Sequence, residues 1–387
     1  MCQRILSLEI WDSRVAVAQM QNLWSGMRLM NWLLVDLPSE ARTPGEMARF
    51  AAERIREAGF SGERVILGLG ADRAYLRRLE FPCSSRRKIE RDLPREMETK
   101  LPMNKEDLVF DARVLDRAQD KGCRVLAAAV PRMVIEQWMR SLRYFGYEPD
   151  RIDLMPSALS ELGLQGDVGK GDACTAVWEL GRSKSAVAFL RRGRLESTDS
   201  FWLGTEDFAR ILANRTGRSR EEARKDIERG MPFPGGSGAE KDASYAQDAV
   251  LSACAKVAHK ELIRSIRGFQ QEEQDAEVGK VVLTGRGARW QELASAISDL
   301  AGMRLRVVQD VPLAFDASGT QKNEIPEVAS AACLALAERK RFSGWNFSKN
   351  ELASRNTRSW RCVMRDIGMG FGFVLLCAAI TYPFMLG

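Results

Sequence analysis

The chain opens on an apolar run that ends in a glutamate, makes a short polar turn and resumes as alternating apolar and polar residues. Residues 8–17 read LEIWDSRVAV, and residues 177–190, VWELGRSKSAVAFL, repeat the device around Glu179. Period-two alternation predicts strands, here at 4–10, 14–20 and 27–36, and again at 173–180, 184–190 and 194–201. A helix follows each trio. The first starts at TPGE, where Thr43 caps, Pro44 suits the first turn and Glu46 closes a capping box, and it stops at Gly59. The second covers 205–216, and a second capping box, Ser219 to Glu222, opens another helix.

Between these blocks the pattern predicts strands at 64–69 and 74–81 and a helical segment at 84–101 interrupted by Pro94. Strands at 108–116 and 123–130, an amphipathic helix at 131–145 and a short strand with helix at 150–163 follow. The polar GLQGDVGKGD reads as a domain joint. Its Gly-Lys is no phosphate loop, because Leu164 stands five before Gly169 and Gly171 follows Lys170 where Ser or Thr is needed. Later, MPFPGGSGAEKDAS reads as a flexible loop and 246–273 as a helix. VGKVVLTGRGARWQELASAISDLAG reads as strand, glycine turn and helix, leading to a strand at 304–309 and a last helix at 326–340. Hairpin, third strand, then helices and strands, performed twice, is an internal duplication.

Composition narrows the class. At 387 residues, 45% hydrophobic and 28% charged, the chain suits two globular domains plus extras. MCQRILSLEI is no signal peptide. Cys2, Cys83, Cys123, Cys174, Cys254, Cys333, Cys362 and Cys377 are scattered with no CxxC, as expected of reduced thiols in a cytosolic compartment. A single histidine, His259, argues against a histidine metal centre or a Ser/His/Asp triad.

The net charge of +6 is local. Residues 339–366 hold Arg339, Lys340, Arg341, Lys349, Arg355, Arg358, Arg361 and Arg365 against Glu351 and Asp366, a net +6, so the rest sums to zero. This is a neutral body with a basic neck, not a nucleic-acid-binding domain. The neck leads into IGMGFGFVLLCAAITYPFMLG, 21 residues without a charge. At about 1.5 Å per residue, such a helix spans the roughly 30 Å hydrocarbon core. The preceding arginines place residues 1–366 in the cytoplasm, and Gly368 with Gly372 forms a GxxxG pair for a second helix.

The duplicated order, the acidic hairpins at residues 9 and 179 and the TGRGA turn at 284–288 resemble the actin-like (ribonuclease H-like) ATPase superfold. Within it, four features resemble the type II secretion system protein L family (GspL), related to the type IV pilus assembly protein M. They are VLAAAVPRMVIEQWMRSLRYFGYEPDRIDLMPSAL, an inserted subdomain at about 85–130, WNFSKNELA, and the C-terminal apolar stretch. The resemblance implies an α/β, duplicated two-domain fold. Domain 1 is 1–165, and domain 2 is 172–341 with a helical insertion at about 205–275. A basic juxtamembrane segment, 342–366, and a transmembrane helix, 367–387, complete the plan. In the pilus pair, a segment similar to WNFSKNEL begins a separate membrane partner, protein N, and docks on the cytoplasmic protein.

ATP-binding members of the superfold resemble one another in three needs. An aspartate ends the first strand near a metal, hairpin turns with glycine and Ser/Thr meet phosphate through backbone N–H groups, and a glycine-rich turn admits the nucleoside. Here Glu9 and Glu179 replace aspartate, Trp11 stands where glycine is expected, Gly181 is followed by Arg182 and Ser183, and Arg286 falls between Gly285 and Gly287. The cleft is therefore expected to be degenerate, with no metal site, no catalysis and no cofactor, ATP with Mg being the alternative. RRKIERDLPREMETK reads as a solvated helix face, with a charged partner as the alternative. Trp345 and Phe347 alternate like an edge strand, which implies docking back onto the body with Leu352 nearby; lipid-surface anchoring is the alternative.

The resemblance implies a bacterial inner-membrane, single-pass scaffold with no enzymatic activity. Its partners would be the hexameric secretion ATPase (protein E type), membrane proteins of the M and F types, a pseudopilin assembly and, in the assembled machine, a second copy or more of itself, with no nucleic acid. The rival readings are an ATP-binding switch and an actin-like membrane-anchored polymer former. A sugar kinase shares the fold, but the sequence supplies no catalytic base for it.

Overall fold

The computed structural model describes residues 3–82, 85–118, 122–165, 173–230, 240–273, 276–310, 313, 315–317, 324–339 and 344–353. The expected membrane helix, with Gly368 and Gly372, and the arginines at 355–365 lie outside them. Among the described residues no helix is long and apolar enough to cross a membrane.

The first lobe is built on β1 (Gln3–Trp11), β2 (Arg14–Leu23), β3 (Gly26–Asp36), β4 (Arg64–Leu69), β8 (Arg151–Leu154) and β14 (Phe315–Asp316), in the order β14-β3-β2-β1-β4-β8. The second uses β9 (Cys174–Leu180), β10 (Ser185–Arg191), β11 (Arg194–Phe201), β12 (Val278–Thr284) and β13 (Arg304–Val307), in the order β11-β10-β9-β12-β13. Both sheets follow one plan: the first three strands of each are antiparallel, and the rest are parallel to the first. The duplication is thus a duplication of topology, that of the actin-like α/β fold.

Helix α1 (Pro44–Glu57) carries the expected capping box, with the Glu46 N–H donating to Thr43 Oγ1 at 3.3 Å. A third sheet, β5-β7-β6, is formed by β5 (Tyr75–Phe81), β6 (Leu108–Ala118) and β7 (Gly122–Pro131). It supports α2 (Arg86–Glu98) through Ile89, Leu93 and Met97. Contrary to the expected interruption, α2 runs through Pro94. A proline there removes one hydrogen bond, and the three apolar anchors, one per turn, hold the helix on its sheet.

Helix α3 (Arg132–Tyr144) covers the first lobe, and α5 (Thr205–Thr216), α6 (Arg220–Glu228), α7 (Glu240–Glu272) and α8 (Gln291–Ala301) belong to the second. Helix α7 starts at Glu240, inside the stretch read as loop. The strand expected at 304–309 ends at Val307 and passes into a 3-10 turn, Val308–Asp310.

Two helices lie between the sheets. All nine residues of α4 (Met155–Gly163) are buried. Helix α9 (Ile325–Arg339), sequence-distant from the first lobe, packs on α4, β1 and β2. Its alanines keep it thin, and Gly68 of β4 makes room for Leu334, which a Cβ would meet at 2.5 Å.

Candidate functional site

The two acidic strand ends face one another across the lobes. Glu9 pairs in register with Ala16 and Gly68, and Glu179 with Ala186 and Thr284, equivalent places in the two sheets. Arg14, the first residue of β2, lies between them. Its Nη2 donates to Glu9 Oε1 at 3.2 Å and to Glu179 Oε1 at 3.3 Å, while Nη1 donates to Glu327 Oε2 at 2.9 Å. Ser330 Oγ, one turn beyond Glu327 on α9, donates to the other Glu9 oxygen at 2.6 Å. Glu9, Arg14, Glu179 and Glu327 are only 1%, 6%, 0% and 2% exposed, so solvent does little to screen them.

Burial opposes the Arg14 charge, but the Glu9, Glu327 and Glu179 carboxylates overcome it and fix the proton more firmly than on an ordinary arginine. Burial also pushes Glu327 up, yet Arg14, Arg289 and Arg286 outweigh it and hold that carboxyl below its usual range. Glu179 goes the other way: burial and the neighbouring Glu9 raise it well above the carboxylate range, and Arg14 offsets this only in part.

The first hairpin turns at Asp12 and Ser13, both left-handed, with φ of 50° and 63°. A two-residue loop matches the strand twist in that conformation. Trp11 is therefore the last strand residue, paired with Arg14, and needs no glycine geometry. The turn throws the Asp12 carboxylate across the lobes, where Oδ2 accepts the Ser183 N–H at 2.8 Å, and the Arg182 N–H and Ser183 hydroxyl also donate to it. Successive N–H groups of this kind form an anion nest, and here a carboxylate of the same chain fills it. Gly181 is needed for that approach, because a Cβ would lie 2.3 Å from Asp12 Oδ2.

The third glycine turn is filled as well. Gly285, at φ +83°, donates its N–H to the Pro326 carbonyl at 2.7 Å, and Thr284 Oγ1 donates to the same oxygen at 2.7 Å. A Cβ on Gly285 would meet the Leu180 carbonyl at 2.8 Å, and one on Gly287 the Leu180 side chain at 2.2 Å. Both glycines therefore serve close packing of β12 on β9 and α9. Arg286 reaches Asp36 at the end of β3, with one contact at 3.3 Å, and Glu228 at 2.8 Å.

Glu9, Trp11, Glu179, Gly181, Gly285 and Gly287 lie together where the two lobes meet. A metal-bound triphosphate does not fit there. A guanidinium stands between the two carboxylates that would face the metal, and a carboxylate stands in the nest that would face a phosphate. The nearby opening, a cavity of about 240 Å³, is lined by the hairpin residues Trp11, Asp12, Ser183 and Lys184 together with Trp138 of α3 and Trp202 after β11.

Sequence reading missed Asp12, Arg14, Glu327 and Ser330. The available signal was an arginine opening the apolar run RVAVAQM and a glutamate inside IPEVASAACLALA, charges where burial makes a partner obligatory.

Trp345 and Phe347 are completely buried. The Phe347 N–H donates to the Ile152 carbonyl at 2.9 Å, so residues 345–348 lie along β8, the edge of the first sheet. Arg151 Nε donates to the Trp345 carbonyl at 3.0 Å, and the Trp345 and Asn346 N–H groups donate to Asp153 at 3.1 Å and Asp111 at 2.7 Å. Trp345 Nε1 donates to the Leu126 carbonyl at 3.3 Å, joining the small sheet, and Leu352 packs at the margin of the core.

No protein-family model and no curated protein matches the sequence. Among solved structures, the chain is similar to one in the PilM-PilN type IV pilus biogenesis complex, at 21% identity and a TM-score of 0.68 over 86% of this chain and 97% of that one. It also aligns with the cytoplasmic domain of EpsL, an inner-membrane component of the type II secretion system of Vibrio cholerae (11%, 90% and 99% covered, TM-score 0.43), and with MreB 5 of Spiroplasma citri bound to AMPPNP (8%, 88% and 96%, TM-score 0.48). The duplicated sheet order and the first of these likenesses give one conclusion: the chain has the actin-like α/β fold, in the form seen in the PilM-PilN complex.

Proposed function

We propose that the chain is an inner-membrane scaffold of a type II secretion system or a related pilus-like machine. Its actin-like body, on the cytoplasmic side, recruits the assembly ATPase, and residues 367–387 pass the attachment through the membrane to partner subunits of the M and F types, in assemblies of two or more copies. One observation carries this reading. The segment 345–348 is fastened into the edge of the first sheet, so the part of the chain that leads towards the 21-residue uncharged stretch is anchored on the body. The likeness to a chain of the pilus biogenesis complex supports the choice of machine.

The same body acts without chemistry of its own. Arg14 and Asp12 supply from within the charges that a metal nucleotide would bring, which favours a passive tether over an ATP-driven switch. The test is direct capture: full-length chain reconstituted in lipid nanodiscs is mixed with the purified hexameric ATPase of the same machine. Co-elution of the two supports the scaffold; an ATPase that elutes free at micromolar concentration contradicts it.

A further inference from the structure

We propose that the outward face of α2 is a contact surface for an anionic lipid bilayer, an inference that rests on the membrane reading of residues 367–387. The helix buries Ile89, Leu93 and Met97 against the small sheet. Arg87, Arg91 and Arg95 recur every four residues on the opposite side, all exposed, with Lys88 beside them. Acidic residues offset this face only in part. Glu90, Asp92 and the exposed Glu96 lie on the flanks, and Glu98, the one carboxylate among the outward arginines, is engaged by Lys105 at 3.0 Å. Arg91 is itself paired with Asp92 at 2.7 Å, which leaves Arg87, Lys88 and Arg95 as the main positive charges.

The exit of the chain places this face near the membrane. Lys349 Nζ lies 2.7 Å from Asp111 Oδ1 and 3.7 Å from Glu90 Oε1 on the flank of α2, and Glu351 lies 3.6 Å from Arg132 at the start of α3, so the last described residues of the docked segment lie between those two helices. From residue 353 only residues 354–366 separate the body from the uncharged stretch, a reach of at most about 45 Å when fully extended. That tether carries Arg355, Arg358, Arg361 and Arg365 and one acidic residue, Asp366. A basic helix face on a body followed in sequence by a short basic stretch fits a surface of negative headgroups. A lone acidic protein partner would have to share the space the bilayer takes.

The test uses full-length chain in nanodiscs of phosphatidylcholine alone or mixed with phosphatidylglycerol, footprinted with the neutral arginine reagent phenylglyoxal and read by mass spectrometry. Arg210 and Arg304, exposed on the second lobe, serve as internal controls. Modification of Arg87 and Arg95 is expected to fall about threefold or more in anionic discs and to recover at high salt, with the controls unchanged. Equal rates in both lipids overturn the proposal. So does equal protection in neutral discs, since the contact would then not be one of charge. A chain that fails to co-elute with discs of either kind refutes the membrane reading beneath it, a result scored separately from the footprint.

Discussion

The carboxylate of Asp12, at the tip of the first hairpin, accepts the backbone N–H of Ser183, in the turn of the second, at 2.8 Å. Two residues further on, Arg14 reaches Glu179. One hairpin thus supplies both an anion and a cation to the opposite lobe. Because they are tethered to the fold, any dissolved phosphate or metal must displace groups already in place.

Removing the Asp12 carboxylate leaves two N–H groups and a hydroxyl without their acceptor. Asp12→Ala is expected to lower stability by about 1–3 kcal/mol in denaturant unfolding. Gly181→Ala, which drives a Cβ onto Asp12 Oδ2, is also destabilising, and it costs less in the Asp12→Ala background than alone. Additive losses contradict the contact.

Arg14→Met takes the shared counter-ion from Glu9 and Glu179 and leaves Glu327 to Arg286 and Arg289 alone. The expected loss is about 3–5 kcal/mol at neutral pH, since a buried charge cluster has lost its counter-ion. The deficit shrinks on acidification, as the carboxylates take up protons. A variant as stable as the parent across pH would deny Arg14 this role.

The two buried glutamates titrate in opposite senses. Glu327, held below the ordinary value of about 4.5, contributes stability present above that value and lost as pH falls through its lower folded pKa. Glu179, held above about 4.5, keeps in the folded state a proton the unfolded chain has released. Its contribution is fully present below about 4.5 and declines as pH rises towards its raised folded pKa. Glu179→Gln is expected to flatten the decline on the alkaline side and leave the acid limb intact, as read from unfolding free energies across pH.

Trp345→Ala empties a fully buried site and breaks the bond to Leu126. About 3–5 kcal/mol is expected, together with faster protease cleavage near residues 345–352 than in the parent. Cleavage at the same rate in both would show that the segment is not fastened to β8.

Much of this architecture is written locally. Thr43 with Glu46, Ser219 with Glu222 and the two acidic hairpins depend on neighbours a few residues apart, and their patterns are visible in one sequence. The contents of the cleft are not. Arg14 meets Glu327 across 313 positions and Glu179 across 165, and no periodicity encodes such a meeting. The same limit applies to α9, whose alanine-rich sequence gives no amphipathic stripe because apolar layers cover it on both sides. Pro94 misled for the converse reason: local propensity favoured a break, and packing of Leu93 and Met97 prevailed.

The chain's own charged groups, Arg14 and Asp12, occupy the cleft. Calorimetric titration of the full-length chain with MgATP tests this occupancy most directly. No binding heat at millimolar nucleotide is predicted; a saturable heat abolished by Glu9→Ala or Glu179→Ala would contradict it.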